Sequence, residues 1–385
     1  MSRYYSHINS AVQFLQTVKK DEPLVHQLKK FFALHKKFGS KDRKNIAALC
    51  YCYYRVCNAF PDKTFAEIIS LGLFLCNTES NNTLAVIAPA LNNSIAQSLE
   101  QKCKQLQINL LDLFPLHNHL GEAIDKQKFA SSFITQPLLF IRARTGKEEY
   151  VTNKLTALNI PFTKSNNNCF ELSNATKVEA DFVLNKEVVI QDKNSQQVLN
   201  FLLQKKPTKV PDVWDCCAAS GGKSILLFDM LDGQINLDVS DIRESTLQNL
   251  QVRFKAAGIK KYYPFVADLL GSNKNLPQRK YDIIICDVPC SGSGTWARTP
   301  EQIAFFAEKN IGSYAIKQKH IARNALSFLQ KDGLFFYITC SAFTQENEAV
   351  VKYLQEKYHV QVLHMEYLKG YEMQADTMFV AVLSL

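Results

Sequence analysis

An α/β protein whose C-terminal half folds as a doubly wound, mostly parallel sheet is predicted by three observations. From Val210 onward, seven short apolar runs alternate with amphipathic helical segments, the order that builds successive βα units. Several of these runs end in Asp or Cys followed by Gly, Ser or Pro, and in such a sheet ligands bind beyond the carboxyl ends of the strands. The chain has 385 residues, 46% of them hydrophobic and 21% charged, which at roughly 150 residues per domain leaves room for further domains before the sheet. That composition excludes a disordered tail, a small disulfide scaffold and a fibrous repeat.

Residues 1–135 are expected to form a helical domain, because apolar residues recur at three- and four-residue spacing (Val12, Leu15, Val18; Leu24, Leu28, Phe31, Phe32). Gly39 is expected to close one helix and Ser40 to cap the next, which carries Ile46, Leu49, Tyr53 and Val56. Residues 68–76 read as a buried helix, and residues 77–93, rich in Asn, Ser and Thr, as a surface connection. Residues 136–204 change texture to a small α+β domain, with strands at 138–144, 169–172 and 188–191 and a helix at 148–158. Lys205-Lys206-Pro207 then leads into the sheet domain, 205–385. Its strands are expected at 213–215, 235–241, 263–266, 281–287, 333–339, 360–364 and 378–383, and its first helix at 225–230.

The formal net charge is +9, and residues 1–60 hold eleven Lys/Arg against Asp21, Glu22 and Asp42. A basic N-terminal face suits a phosphate-rich partner, although a solvated helix surface explains it equally. Eleven cysteines, an odd number, several of them in apolar runs, indicate reduced thiols. Cys50, Cys52 and Cys57 lack a second Cys/His pair at zinc spacing, so no metal is expected. No apolar run approaches the roughly 18 residues of a membrane span, and no secretory leader opens the chain. A cytoplasmic protein, with no evidence for an oligomer, is the expectation.

The residues at the strand ends carry the chemistry. After the first strand comes Asp215-Cys216-Cys217-Ala218-Ala219-Ser220-Gly221-Gly222-Lys223-Ser224. Small residues and two glycines let backbone N–H groups approach an anion or carboxylate at a helix N-terminus. The segment nearly matches the phosphate loop G-x-x-x-x-G-K-[ST], but Cys217 stands where that loop needs its first glycine. The second strand ends at Asp241, about twenty residues past the turn, where a carboxylate can take both hydroxyls of a ribose. Asp268, after the third strand, could reach an adenine amine. These features favour a nucleoside cofactor such as S-adenosylmethionine over a nucleoside triphosphate. The fourth strand ends in Asp287-Val288-Pro289-Cys290-Ser291-Gly292, and the fifth in Thr339-Cys340-Ser341, followed by Glu346-Asn347. Two thiols are thereby expected at the ends of neighbouring strands.

These segments, in this order, strongly resemble the RNA cytosine-5 methyltransferases of the bacterial ribosomal RNA small-subunit methyltransferase B and Nop/Sun type. The resemblance spans about residues 191–385 and includes Gln191-Asp192-Lys193-Asn194-Ser195-Gln196. More weakly, Gly39-Ser40-Lys41-Asp42-Arg43 and the tyrosine-rich helix to Arg55 resemble the NusB-like RNA-binding domain of the rRNA members. The resemblance implies a Rossmann-like class I fold and S-adenosylmethionine held by Cys217, Ala218, Ala219, Ser220, Gly221, Gly222, Lys223, Asp241, Asp268 and Asp287. By the same resemblance Cys340 is the nucleophile, Cys290 resolves the adduct, and Asp287 activates the cytosine. The implied partner is RNA, ribosomal first and transfer RNA second; a cofactor-binding assembly factor without turnover is the non-enzymatic alternative. Trp296 and Arg298 could line an RNA entrance, although simple packing explains Trp296 at least as well. The sequence departs from the family at Ser220, usually proline, at Thr246, usually arginine, and at Asp376-Thr377-Met378-Phe379, commonly Asp-Gly-Phe-Phe.

Overall fold

A computed structural model describes residues 3–165, 168–205, 207–271 and 276–385. Ser2 and Lys206, at the start of the helical domain and in the junction before the sheet, lie outside the described residues. The chain divides into two compact units. One comprises Met1–Leu120, Asp125–Gln136 and Thr295–Glu308; the other comprises Gly121–Ile124, Pro137–Gly294 and Lys309–Leu385.

The first unit is helical, led by Arg3–Leu15, Leu24–Leu34, Ser40–Val56 and Phe65–Cys76. The last of these buries Ile68, Ile69, Leu73, Phe74 and Leu75, which accounts for its continuous apolar run. Ser40 is the first helical residue rather than the cap. Gly39 precedes the helix in an extended conformation, and Asp42 accepts its N–H at 3.3 Å. Residues 77–93 are not a bare connection: they contain the helices Asn82–Ile87 and Pro89–Asn93. Their polar residues serve as caps. Asn81 accepts from the backbone of Thr83 and Leu84, and Leu84 anchors the first helix in the core.

Thr295–Glu308, far along the chain, belongs to this unit. Buried Trp296 packs on Phe306, with centroids 4.9 Å apart, and on Phe114 at 6.1 Å, so it is a core residue rather than the lining of an entrance. The Arg55 guanidinium donates to the carbonyls of Ala297 (3.0 Å) and Thr135 (3.3 Å) and to Phe133 O, so backbone acceptors satisfy much of its buried charge.

The second unit holds two sheets. The smaller, antiparallel sheet has β1 (Leu139–Ala143), β2 (Phe162–Ser165), β3 (Cys169–Leu172) and β4 (Val188–Ile190) in the order β2-β3-β1-β4. Its β2 was not predicted, because Phe162 is the one apolar side chain in Phe-Thr-Lys-Ser, an edge strand half open to water. The larger sheet has β5 (Asp212–Asp215), β6 (Asn236–Asp241), β7 (Tyr263–Val266), β8 (Tyr281–Asp287), β9 (Leu329–Thr339), β10 (Gln361–Leu368) and β11 (Met378–Ser384). Their order is β10-β11-β9-β8-β5-β6-β7, parallel except for β11, which runs antiparallel to both neighbours. Central strands covered on both faces must be apolar throughout, as Ile283–Ile285 and Phe335–Ile338 are. β9 starts earlier than predicted because the polar stretch Gln330-Lys331-Asp332 is still within the strand.

Two consequences position the site. Parallel pairing of β8 with β9 sets Asp287 opposite Ile338, so both strands deliver their terminal loops at one level. Pairing of β5 with β6 and β6 with β7 does the same for Asp215, Asp241 and the residues after Val266.

Replacing Trp296 with Ala should destabilise the helical unit by about 3–5 kcal/mol in urea denaturation, the usual cost of emptying a buried aromatic site. A loss below about 1 kcal/mol, typical of a surface position, would contradict its burial.

Candidate active site

The turn after β5 is built on strained and close-packed positions. Ala219 and Gly221 both have positive φ, +46° and +80°, and the helix Gly222–Met230 begins directly behind them. A side chain at Gly221 would also strike the Phe254 ring, so the glycine answers both backbone and space. The turn is pinned from both sides. Ala218 N–H donates to Ser240 O at 2.9 Å, and Ala219 N–H donates to Asp241 Oδ2 at 3.1 Å. Arg253 donates to Ser220 O at 2.9 Å and to Ser220 Oγ at 2.7 Å, so serine at this position gains an external brace.

Asp215, at the root of the turn, is buried and accepts from Ser224 Oγ at 2.6 Å through one oxygen. Its other oxygen has no partner among the described residues. Burial pushes its carboxyl up to about 7, with Ser224 pulling the other way.

Of the expected ribose and adenine carboxylates, Asp241 lies beside the turn and Asp268 beyond the next strand. Asp241 Oδ1 accepts from Arg243 N at 2.9 Å and Arg243 Nε at 3.3 Å. An arginine thus does reach this carboxylate, from position 243 rather than 246; sequence reading missed it by looking only at the family's position. Asp268 is exposed, and its Oδ1 takes the Leu270 N–H at 2.8 Å.

Lys223, the first-turn lysine, turns away from any phosphate-loop role and pairs with Asp287 at the end of β8, Nζ to Oδ2 2.5 Å. Burial opposes its charge, but Asp287 more than offsets that, with Cys340 and Asp215 acting in the same direction, so Lys223 is held above its ordinary value. Asp287 therefore joins the glycine turn to the thiol loops.

Cys290 and Cys340 are brought together, Sγ to Sγ 3.3 Å. The Cys340 contact, and then burial, push the Cys290 thiol well up. Cys217 is half-buried in the turn, while burial pushes Cys216 and Cys286 up so that they pack as neutral thiols. The two thiol loops approach so closely that Gly294 is obligatory. Its N–H donates to Cys340 O at 2.9 Å, its carbonyl accepts from Thr377 N at 2.9 Å, and a Cβ there would fall on the Thr377 carbonyl.

Beneath the thiols runs a buried polar network that sequence reading did not assign. Glu346 accepts from Ser291 N–H at 2.8 Å, Gln318 Nε2 at 2.9 Å and Ser341 Oγ at 2.7 Å. Asn347 accepts from Thr339 Oγ1 at 2.6 Å and donates to Ser341 O at 2.8 Å. The available signal was an acid and an amide five residues after the second cysteine motif.

Among the described residues no group of three or more His, Cys, Asp or Glu is placed to hold a metal ion, and no helix is long and apolar enough to cross a membrane.

A parallel sheet with one antiparallel strand, a glycine turn after its first strand and acidic strand ends defines a Rossmann-like methyltransferase domain. A family described as 16S rRNA methyltransferase RsmB/F matches residues 201–382. The chain is 27% identical over 164 residues to ribosomal RNA small subunit methyltransferase F of Psychromonas ingrahamii, covering 42% of this chain and 34% of that protein. It is 31% identical over 179 residues to 25S rRNA (cytosine-C(5))-methyltransferase NSUN5 of Arabidopsis thaliana, covering 44% and 31%. The chain thus spans about a third of the length of these curated relatives. In fold it is similar to NSun6 from Pyrococcus horikoshii, solved with SFG, at a TM-score of 0.61 and 14% identity over 70% of this chain and 96% of that one. Residues 201–382, the greater part of the sheet domain, are thus similar to the RsmB/Nop-Sun methyltransferases.

Burial raises Asp215, so the folded state holds a proton that the unfolded chain releases. Its contribution to stability is complete below about pH 4 and is lost as pH rises through about 7. Asp215→Asn should therefore be more stable than wild type at pH 8, by up to roughly 4 kcal/mol, and equal to it near pH 4. Urea midpoints that differ by the same amount at both pH values would contradict this.

Proposed function

We propose that the protein is an S-adenosylmethionine-dependent RNA methyltransferase forming 5-methylcytosine, acting on ribosomal RNA in the cytoplasm. The 3.3 Å pairing of Cys290 with Cys340, beside the Lys223–Asp287 ion pair, carries the reading. The names of the relatives support ribosomal RNA as the substrate.

The turn fits the cofactor. Its positive-φ positions present backbone around the helix N-terminus, and buried Asp215 keeps one oxygen without a partner among the described residues. The turn residues Cys217, Ala218, Ala219, Ser220, Gly221, Gly222 and Lys223 would hold the amino-acid end, Asp241 the ribose, and Asp268 the adenine. When bound, S-adenosylmethionine supplies an electrophilic methyl group to carbon 5 of the base. A nucleoside triphosphate fits less well, since Lys223 is committed to Asp287 and Cys217 replaces the glycine of a phosphate loop.

Carbon 5 of cytosine is a weak nucleophile. Cys340 as thiolate adds at carbon 6, which makes carbon 5 enamine-like. Negative charge then develops towards nitrogen 3, next to the Asp287–Lys223 pair. Paired with an ammonium, Asp287 serves as acceptor for the exocyclic amine, and Lys223 is the charged donor beside it. After transfer a base takes the carbon-5 proton, the double bond between carbons 5 and 6 re-forms, and Cys340 leaves as thiolate. Cys290, whose sulfur lies 3.3 Å from that of Cys340, is the proposed helper in that resolution. A duplex hides carbon 6, so the substrate is a loop or an opened strand. The basic N-terminal helices are the proposed phosphate-binding face.

Cys340→Ala should abolish methyl transfer to RNA from labelled cofactor, whereas Cys290→Ala should accumulate a covalent protein–RNA adduct on denaturing gels. Normal product from the first variant, or no adduct from the second, would overturn the respective assignment. Bisulfite sequencing of rRNA from cells with and without the gene then identifies the target cytosine.

A further inference from the structure

We infer that Glu346 is the positioning residue that holds the Cys290 loop against Cys340, so that the resolving thiol stays within reach of the bonded sulfur; this rests on the reading of the two thiols given above. One carboxylate touches the residue after each cysteine. Glu346 Oε2 takes the Ser291 N–H, and Oε1 takes the Ser341 hydroxyl. Gln318 completes the clamp on the Cys290 side. Its amide donates to Pro289 O at 3.0 Å and to Glu346 Oε2 at 2.9 Å, so the peptide groups before and after Cys290 are both held.

The chemistry of the three donors requires an acid here. Ser341 Oγ accepts from Phe343 N–H at 3.1 Å and lies 3.2 Å from both Ser291 Oγ and Ser293 Oγ, while it donates to Glu346 Oε1 at 2.7 Å. Gln318 Nε2 and Ser291 N–H can only donate. Three donors thus converge on a fully buried side chain, and an amide in its place would turn an N–H against one of them. The loop carrying Cys290 depends most on this side chain, since it hangs from Oε2 and Gln318, whereas Cys340 continues directly from β9.

Glu346→Gln should leave addition by Cys340 intact and slow its reversal. During turnover on RNA with S-adenosylmethionine, the covalent adduct fraction should rise about tenfold over wild type and kcat should fall by a similar factor, as loss of one charge-assisted hydrogen bond implies, with KM for RNA unchanged. Gln318→Ala, which keeps the acid and removes half of the clamp, should shift both quantities in the same direction by less. It also keeps the question open to test should Glu346→Gln fail to fold. Combined with Cys290→Ala, Glu346→Gln should raise the adduct no further, because both changes act through one thiol.

A merely structural acid would lower the melting temperature and leave the adduct fraction at the wild-type level. That result, loss of adduct formation itself, or additive effects in the double variant would overturn the inference. If Cys290→Ala accumulates adduct and both Glu346→Gln and Gln318→Ala do not, only this inference fails. If Cys290→Ala gives none, the reading of the thiols fails with it.

Discussion

Two sulfur atoms on separate loops must be held in contact, and the site depends on that constraint. A 3.3 Å Sγ–Sγ approach is not a bond and has little energy of its own, so other groups must enforce it. The parallel register of β8 and β9 brings the loops to one level. Gly294 lets their backbones meet, and the buried Glu346–Gln318–Ser341 network fixes their spacing. Each of these polar groups is buried, so each would be costly if left unpaired. Nearly every donor in the network has an acceptor, which favours a single arrangement of the two loops.

The same logic extends across the sheet to the glycine turn. Lys223 belongs to the turn and Asp287 to the thiol side, and their ion pair couples the two halves of the site. Asp241 plays the corresponding part on the far side, accepting from the backbone of Ala219. The proposed chemistry needs a methyl donor, a nucleophile and a resolving group in one place. Strand ends at a common level provide such a place because each loop starts from an element packed on both faces.

Much of this was legible in the sequence because it is local. Runs of three to seven residues marked the strands of the large sheet within a few positions, and Asp215–Ser224, Asp287–Gly292 and Thr339–Ser341 announced their loops through small residues, proline and acids. What stayed hidden was long-range or context-dependent. Gln318 is polar inside an amphipathic helix, and only the fold places it 2.9 Å from Glu346. Arg243 was overlooked because the family's arginine sits elsewhere. Thr295–Glu308 reads as a continuation of the sheet domain, yet Trp296 is buried against Phe114 and Phe305 packs its ring on Tyr54 in the helical unit. Residues 77–93 looked like coil because Asn and Ser favour turns, although here Asn81 caps a helix instead.

The central claim is that Cys340 attacks carbon 6 of a cytosine in RNA. Its most direct test is incubation with S-adenosylmethionine and RNA containing 5-fluorocytidine, in which the fluorine cannot leave carbon 5 as a proton does, so the adduct persists. Mass spectrometry of the digested protein should then find the nucleotide attached to the peptide carrying Cys340. Attachment to Cys290, or no attachment at all under conditions in which the cofactor is consumed on unmodified RNA, would contradict the account.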